Sequence, residues 1–315
     1  MDEHRDRFGG VEPICRVLTE HGCQIAPATY CAARKRQSEP SARTVRDAEL
    51  KEQIKEVYET NYRFYGARKI WCQPNRQGQK VARCTVERPM RELGIAGAVR
   101  GKRVITTMPD PAARAPDLLD REFVAPAPNR TWVADFTHVA VWAGVISRSS
   151  WIRSPAASSG WSASMSKQTQ LVLDAVDMGL WQRDRDGFSP ALGELVHHSD
   201  AGSQYTSFRL AEHLDAAQIA ASTGLVGDAY DNALMESTIG LFKTEVIKPQ
   251  RPWKTLSHVE LATAEWVDWY NHRRLHGEIG HIPPAEYEAN YYRAATKPHS
   301  QHLRSLPNPE RFRES

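Results

Sequence analysis

The stretch HHSDAGSQYTS at 197–207, followed by GDAYDNALMESTIGLFKTE at 227–245, decides how the rest of this 315-residue chain is read. ELVHHSD has the composition of a short strand and delivers Asp200 at its end. Residues 231–246 read as a helix with Leu234, Leu241 and Phe242 on the buried stripe. Glu236 then lies on the polar face, one turn after Asn232. Lys243, seven residues further on, falls about 20° off the same line at 3.6 residues per turn. Asn232, Glu236 and Lys243 form one polar stripe, and 35 residues separate Glu236 from Asp200.

A third acid lies upstream. In TWVADFTHVAVW (131–142), Trp132, Ala134, Phe136 and His138 alternate with Val133, Asp135, Thr137 and Val139, the period of a strand. A mid-strand carboxylate is unfavourable unless it is paired or bound to a metal. Asp135, Asp200 and Glu236 come from a strand, a strand end and a helix. Such a set suits Mg²⁺ (Mn²⁺ as the alternative), which takes oxygen ligands and keeps positions for water and phosphate. Two such ions roughly 3.5–4 Å apart serve in-line phosphoryl displacement. Lys243 is placed to hold the scissile DNA. His197 and His198 raise a zinc alternative, which the lack of a nearby cysteine disfavours.

Composition agrees with a nucleic-acid partner. The net charge is +3, but residues 61–103 carry 11 Lys+Arg against 2 Asp+Glu, so the remainder nets −6. A basic module beside a mildly acidic one suits phosphate contacts. Mean hydropathy is −0.56, no apolar run approaches a membrane span, and the charged start MDEHRDRFGG does not read as a signal peptide. Five cysteines without a CxxC, none beyond residue 84, indicate reduced thiols. These features predict a cytoplasmic protein with no membrane association.

Residues 1–45 form an N-terminal helical segment, with an apolar pattern at Val11, Ile14, Cys15 and Leu18 and a stop at His21-Gly22. Thr44 and Asp47 read as a capping pair for a helix with Leu50, Ile54, Val57 and Tyr58 on one face. YGARKIWCQPNRQGQKVARCTVERPMRELGI then gives a helix, a Gly78 turn and a Thr85-capped second helix, so 46–103 is a helix-turn-helix outline. It presents Arg68, Lys69, Arg83, Arg88 and Arg91 to DNA. Pro74 and Pro89 fall inside these helices, where proline costs ~3 kcal/mol, and read as signs of decay. Residues 104–128 are a Pro/Ala-rich linker, and 291–315 a polar tail. Strands interspersed with helices over 129–290, among them helices at 169–183 and 256–272, make this region α/β.

Asp135, then Asp200-(35)-Glu236-(6)-Lys243, together with HHSDxGSQYTS, GDAYDNALxES and WYNHRRLH, closely resembles the second-frame (OrfB) subunit of DDE transposases of the IS-three family of insertion sequences. The resemblance spans nearly the whole chain. It implies an RNase H-like, retroviral-integrase-type core: a mixed sheet flanked by helices, preceded by the all-α helix-turn-helix region. The implied reaction is Mg²⁺-dependent cleavage at element ends, then attack of a 3′-hydroxyl on another phosphodiester with no covalent enzyme intermediate. Implied partners are double-stranded DNA (element ends and target), a first-frame (OrfA) product, and further copies of the chain assembled on DNA. The setting is the bacterial cytoplasm, at the nucleoid when DNA is bound.

The chain departs from the family pattern at Val145–Gly160, VISRSSWIRSPAASSG, where two apolar core strands belong. With plausible codons, reading two bases later from Ile146 gives Leu-Ala-Phe-Val-Met-Asp-Thr-Phe-Ser-Arg-Arg-Ile-Val-Gly, the family's strand pair, and the frame returns at Trp161. Two compensating frameshifts follow as a hypothesis, and with them a disrupted second and third core strand. The chain is then a catalytic DDE subunit or, alternatively, a catalytically dead DNA-binding remnant. An RNase H-type nuclease is disfavoured by the basic N-terminal region and the Glu236–Lys243 pair.

Overall fold

The computed structural model describes residues 2–99, 127–142, 146–153, 157–166, 168–187, 193–200, 202, 204–223 and 233–295. The chain divides into two compact units, 1–97 and 98–315.

The first unit is helical: α1 (Val11–Glu20), α2 (Pro27–Ser38), α3 (Ala42–Thr60), α4 (Ala67–Arg76) and α5 (Arg83–Glu92). Helix α3 is capped by Ser41, whose Oγ accepts the Thr44 N–H at 3.2 Å, three residues before the expected Thr44 cap. Ser41 can do this because its backbone is extended, at φ −62° and ψ 152°, which turns its hydroxyl towards the first free N–H groups of the helix. Asp47, thus freed from capping, accepts from Arg88 at 2.7 Å. Leu50 and Ile54 are buried as the period requires.

Helices α4 and α5 flank a turn with Gly78 at φ 87°, the predicted outline. Trp71 Nε1 and Asn75 Nδ2 donate to the Val81 carbonyl at 2.7 and 3.2 Å and clamp the turn. Helix α5 starts at Arg83 without a side-chain cap, so the Thr85 cap is not used. Neither proline breaks its helix. Pro74 and Pro89 are buried, and each helix ends within three residues of its proline. Their rings fill core positions, contrary to the expectation that both are signs of decay.

The second unit is built on a five-stranded mixed sheet of order β3-β2-β1-β4-β5. Its strands are β1 (Thr131–Ala140), β2 (Ile146–Arg153), β3 (Ser158–Ser164), β4 (Val196–Ser199) and β5 (Ala220–Thr223). β1–β2 and β2–β3 pair antiparallel, β1–β4 and β4–β5 parallel. This corrects the expected disruption of the second and third strands. β2 pairs with β1 from Val133↔Arg153 to Ala140↔Ile146, and with β3 on its other edge. Ladder bonds use only backbone groups, so a Ser-rich segment can hold a central place.

Trp132, Ala134 and Phe136 pack with α6 (Gln170–Arg185) and α7 (Phe208–Ala216). Val133, Asp135 and Thr137 alternate to the opposite face. α6 also lies close over β3. A Cβ at Gly160 would stand 2.2 Å from the Ala175 carbonyl oxygen, so only glycine permits that approach. α8 (Ala233–Phe242) packs on β1, α9 (Leu256–His272) on β3, and α10 (Pro284–Ala295) on α9. β5 and α10 were not anticipated, and α10 runs past residue 290, where the polar tail was expected to begin.

A buried ion pair ties the end of α6 to α10. Arg183 Nη1 donates to Glu288 Oε2 at 2.6 Å and its Nη2 to Ser159 Oγ at 2.8 Å. Removing one partner strands a buried charge, which costs about 3–5 kcal/mol. Arg183→Met therefore lowers the urea midpoint with an unchanged slope, while a doubly apolar replacement of Arg183 and Glu288 recovers most of the loss.

All five cysteines are free. Among the described residues, no helix is long and apolar enough to cross a membrane.

Candidate active site

Three elements of the sheet unit deliver the acids. Asp135 is fifth in β1, on the face opposite Trp132. Asp200 follows the last residue of β4, and β4 pairs parallel with β1 in the register Ala134↔Ser199, so the two acids sit at neighbouring strand positions. Glu236 is exposed in the first turn of α8, the helix packed on β1.

Local bonds hold the first two. Asp135 Oδ1 accepts the Phe136 N–H at 2.7 Å, and Asp200 Oδ1 accepts the Gly202 N–H at 3.1 Å. A Cβ at Gly202 would come 3.0 Å from that same oxygen, so glycine permits this close approach.

The acids feel one another. The Asp135 carboxyl is pushed from 3.8 up to about 7, first by burial and then by the Asp200 charge; Glu236 adds to the shift, and the Phe136 N–H and Lys243 oppose it. Lys243 is pulled below its usual value by burial, with the Asp135 charge acting the other way. The structure thus brings Asp135, Asp200, Glu236 and Lys243 into one electrostatic neighbourhood. Among the described residues no three His, Cys, Asp or Glu side chains form a ready-made metal cage. Asn232 lies outside the described residues.

The stripe behind Glu236 differs from expectation. Met235, Thr238, Ile239 and Phe242 are buried, whereas Leu234 and Leu241 are only partly so. The helix is rotated relative to the assumed face because Met235 and Ile239 are as apolar as the leucines. His197 and His198 are buried in β4. Burial drives the His197 pKa down to about 4 and keeps the ring neutral, and His198 Nδ1 lies 2.9 Å from Ser222 Oγ. Both are core histidines.

The basic residues of the other unit divide by their contacts. Arg83 is paired with Glu87 at 2.7 Å, and Arg88 with Asp47 at 2.7 Å and Glu92 at 3.5 Å. Lys69 lies over the Tyr65 ring, 5.1 Å from its centroid. Arg68 and Arg91 are exposed. Sequence reasoning missed Arg43 and Arg46 on α3, which with Asp47, Cys84, Thr85 and Arg88 line a cleft of about 340 Å³. Their spacing of three on a helix was the available signal.

Residues 45–103 match the family model of an HTH-like domain and residues 217–284 that of an integrase core domain. The chain is 50% identical over 277 residues to a protein described as a transposase for insertion sequence element IS986/IS6110 of Mycobacterium tuberculosis (strain ATCC 25177 / H37Ra), covering 87% of this chain and 98% of the relative. It is 46% identical over 296 residues to the transposase for insertion sequence element IS629 of Shigella sonnei, covering 93% and 95%. A weaker likeness is to the HTLV-2 integrase catalytic core domain in complex with magnesium, at TM-score 0.39 and 17% identity, covering 52% of this chain and 98% of that one.

Proposed function

This chain belongs to the insertion-sequence transposases, and from that premise we propose that Asp135, Asp200 and Glu236 are the acids with which it moves DNA. The observation that carries the proposal is the Ala134↔Ser199 pairing, which sets Asp135 and Asp200 at neighbouring strand positions next to the helix that bears Glu236. Acids gathered in this way favour a cation among them, and the Asp135 carboxyl, raised to about 7 by burial and by the Asp200 charge, agrees.

The donor set fits a hard divalent ion: three carboxylates, with no sulfur or free imidazole among them. Asp135, Asp200 and Glu236 would hold magnesium, with manganese as the substitute. When bound, the metal would supply Lewis-acid stabilisation of the charge that develops in an in-line displacement. The chain's own groups do the rest. Lys243, half-buried beside Asp135, places its ammonium against the non-bridging oxygens of the scissile phosphate. The Gly202 N–H and the Phe136 N–H keep the Asp200 and Asp135 carboxylates from turning away. The nucleophile is water in end cleavage and the freed 3′-hydroxyl in strand transfer. No side chain forms a bond to phosphorus.

DNA is brought to the site through the helical unit, and the working assembly holds more than one copy of this chain together with a first-frame (OrfA) partner. Arg68 and Arg91 contact phosphates, whereas Arg88 chiefly holds α5 to α3 through Asp47. Each phosphate contact adds about 0.9 to the slope of log affinity against log salt. Arg91→Ala therefore lowers that slope by about one such step in fluorescence anisotropy with duplex DNA. Arg88→Ala changes it less.

The test mixes this chain and its first-frame partner with end-labelled element ends, a target duplex and a magnesium titration. Joined product that appears with magnesium and vanishes with chelator supports it. Product that forms equally in chelator would overturn it. The remnant alternative draws on the Ser-rich β2, and duplex binding without any cleavage in the same assay would favour it.

A further inference from the structure

The motif WYNHRRLH at 269–276 lies outside the group of acids, yet it supplies a buried charge to the helix that carries Glu236 and Lys243. Helix α8 ends at Phe242, and the next turn, Lys243–Ile247, is π-helical, closed by the Lys248 N–H donating to the Lys243 carbonyl at 2.9 Å. Such turns are rare and cluster at functional sites. Two residues into it lies Glu245, only 4% exposed. Both its oxygens are engaged: Oε1 accepts from Arg274 Nη2 at 2.6 Å and Oε2 from Trp266 Nε1 at 2.9 Å. The Arg274 guanidinium is itself fixed 5.6 Å from the ring centroids of both Trp269 and Tyr270.

We propose that Glu245 and Arg274 are positioning residues for Lys243, clamping the π turn so that the lysine ammonium stays beside Asp135. The inference rests on the reading of Lys243 as a phosphate-holding group. A π turn holds more than four residues, so positions two apart, such as 243 and 245, lie close to half a turn from each other and point to roughly opposite sides. Anchoring Glu245 in the core therefore sets the direction of Lys243 on the other side. Desolvation offsets much of what a buried ion pair contributes to stability, which makes a role in specifying one geometry the more economical account. Trp266 adds direction: its indole N–H takes the carboxylate oxygen that Arg274 leaves.

The test is acetylation of the full chain with an N-hydroxysuccinimide ester at one pH, read peptide by peptide in a mass spectrometer. The exposed Lys254 serves as the internal reference. In the unsubstituted chain Lys243 reacts more slowly than Lys254. Losing one hydrogen bond to a charged group is worth about tenfold in such an equilibrium, so Glu245→Gln accelerates Lys243 by about that factor relative to Lys254. Trp266→Phe, which deletes one donor and keeps a ring, gives a smaller rise in the same direction. Circular dichroism melts accompany both variants. Folded variants with Lys243 labelling unchanged would overturn the proposal. So would variants with no cooperative melt, since the pair would then hold the fold rather than the lysine. The labelling needs no metal, DNA or turnover, so it can fail while strand transfer succeeds, and the reverse.

Discussion

Asp135→Asn and Glu236→Gln each lower magnesium-dependent strand transfer by about a thousandfold or more, because Lewis-acid stabilisation supplies several kcal/mol of the barrier reduction and each 1.36 kcal/mol is tenfold. Both changes keep the shape of the side chain and remove only its charge. For Asp135 the effect on stability has the opposite sign. Its carboxyl is raised from 3.8 to about 7 in the fold, so the folded state holds the proton more tightly than the unfolded state does. Above that range, where the group is ionised in both states, it opposes folding; below 3.8 this penalty disappears. In chelator at pH 8, Asp135→Asn thus melts no lower than the parent chain, and higher if anything, while losing activity. A melt that falls together with activity would mean that Asp135 is an ordinary structural carboxylate.

The second large effect concerns β2. α6 packs over β2 and β3, and a strand covered by a helix needs an apolar face. ISRSSWIR has two apolar residues on one alternate set and one on the other: Ile146 and Ile152 are separated by Arg148 and Ser150, and Trp151 shares its set with Ser147, Ser149 and Arg153. The alternative frame begins Leu-Ala-Phe-Val-Met, apolar at every position, so it supplies an apolar face whichever side meets the helix. It also ends in glycine, which the close approach of Gly160 to Ala175 demands. Aligned from Ile146, it places three apolar side chains on either face, one or two more than the chain's own strand, which at ~2 kcal/mol each stabilises the fold by about 2–4 kcal/mol. The frame-restored chain should show a correspondingly higher urea midpoint. An unchanged midpoint would mean that the Ser-rich strand is already well accommodated.

Much of this was legible from residues. Asp135 announced itself as a charge inside an alternating apolar strand, Asp200 as the end of a short one, and Glu236 as a polar residue early in a helix; Lys243, expected on the same helical stripe, lies instead in the π turn beyond the end of α8. The sheet brings the first two to adjacent positions through the Ala134↔Ser199 pairing. Three features escaped for physical reasons. β5, Ala220-Ala221-Ser222-Thr223, has no apolar period because its place comes from backbone pairing with β4. β2 was discounted on side-chain pattern, although ladder bonds do not depend on it. The face of α8 was set by Met235 and Ile239, residues as apolar as the leucines first assigned there. Arg88 was legible as basic but not as spent on Asp47, since that contact joins residues 41 apart in sequence.

The central claim is that three carboxylates on this particular chain carry out DNA strand transfer. The most direct measurement is joining of a labelled element end to a target duplex with magnesium and the first-frame partner, by the unaltered chain and by Asp200→Ala at equal concentration and equal DNA affinity. The account predicts joined product from the unaltered chain and none above background from Asp200→Ala. Equal product from both would contradict it.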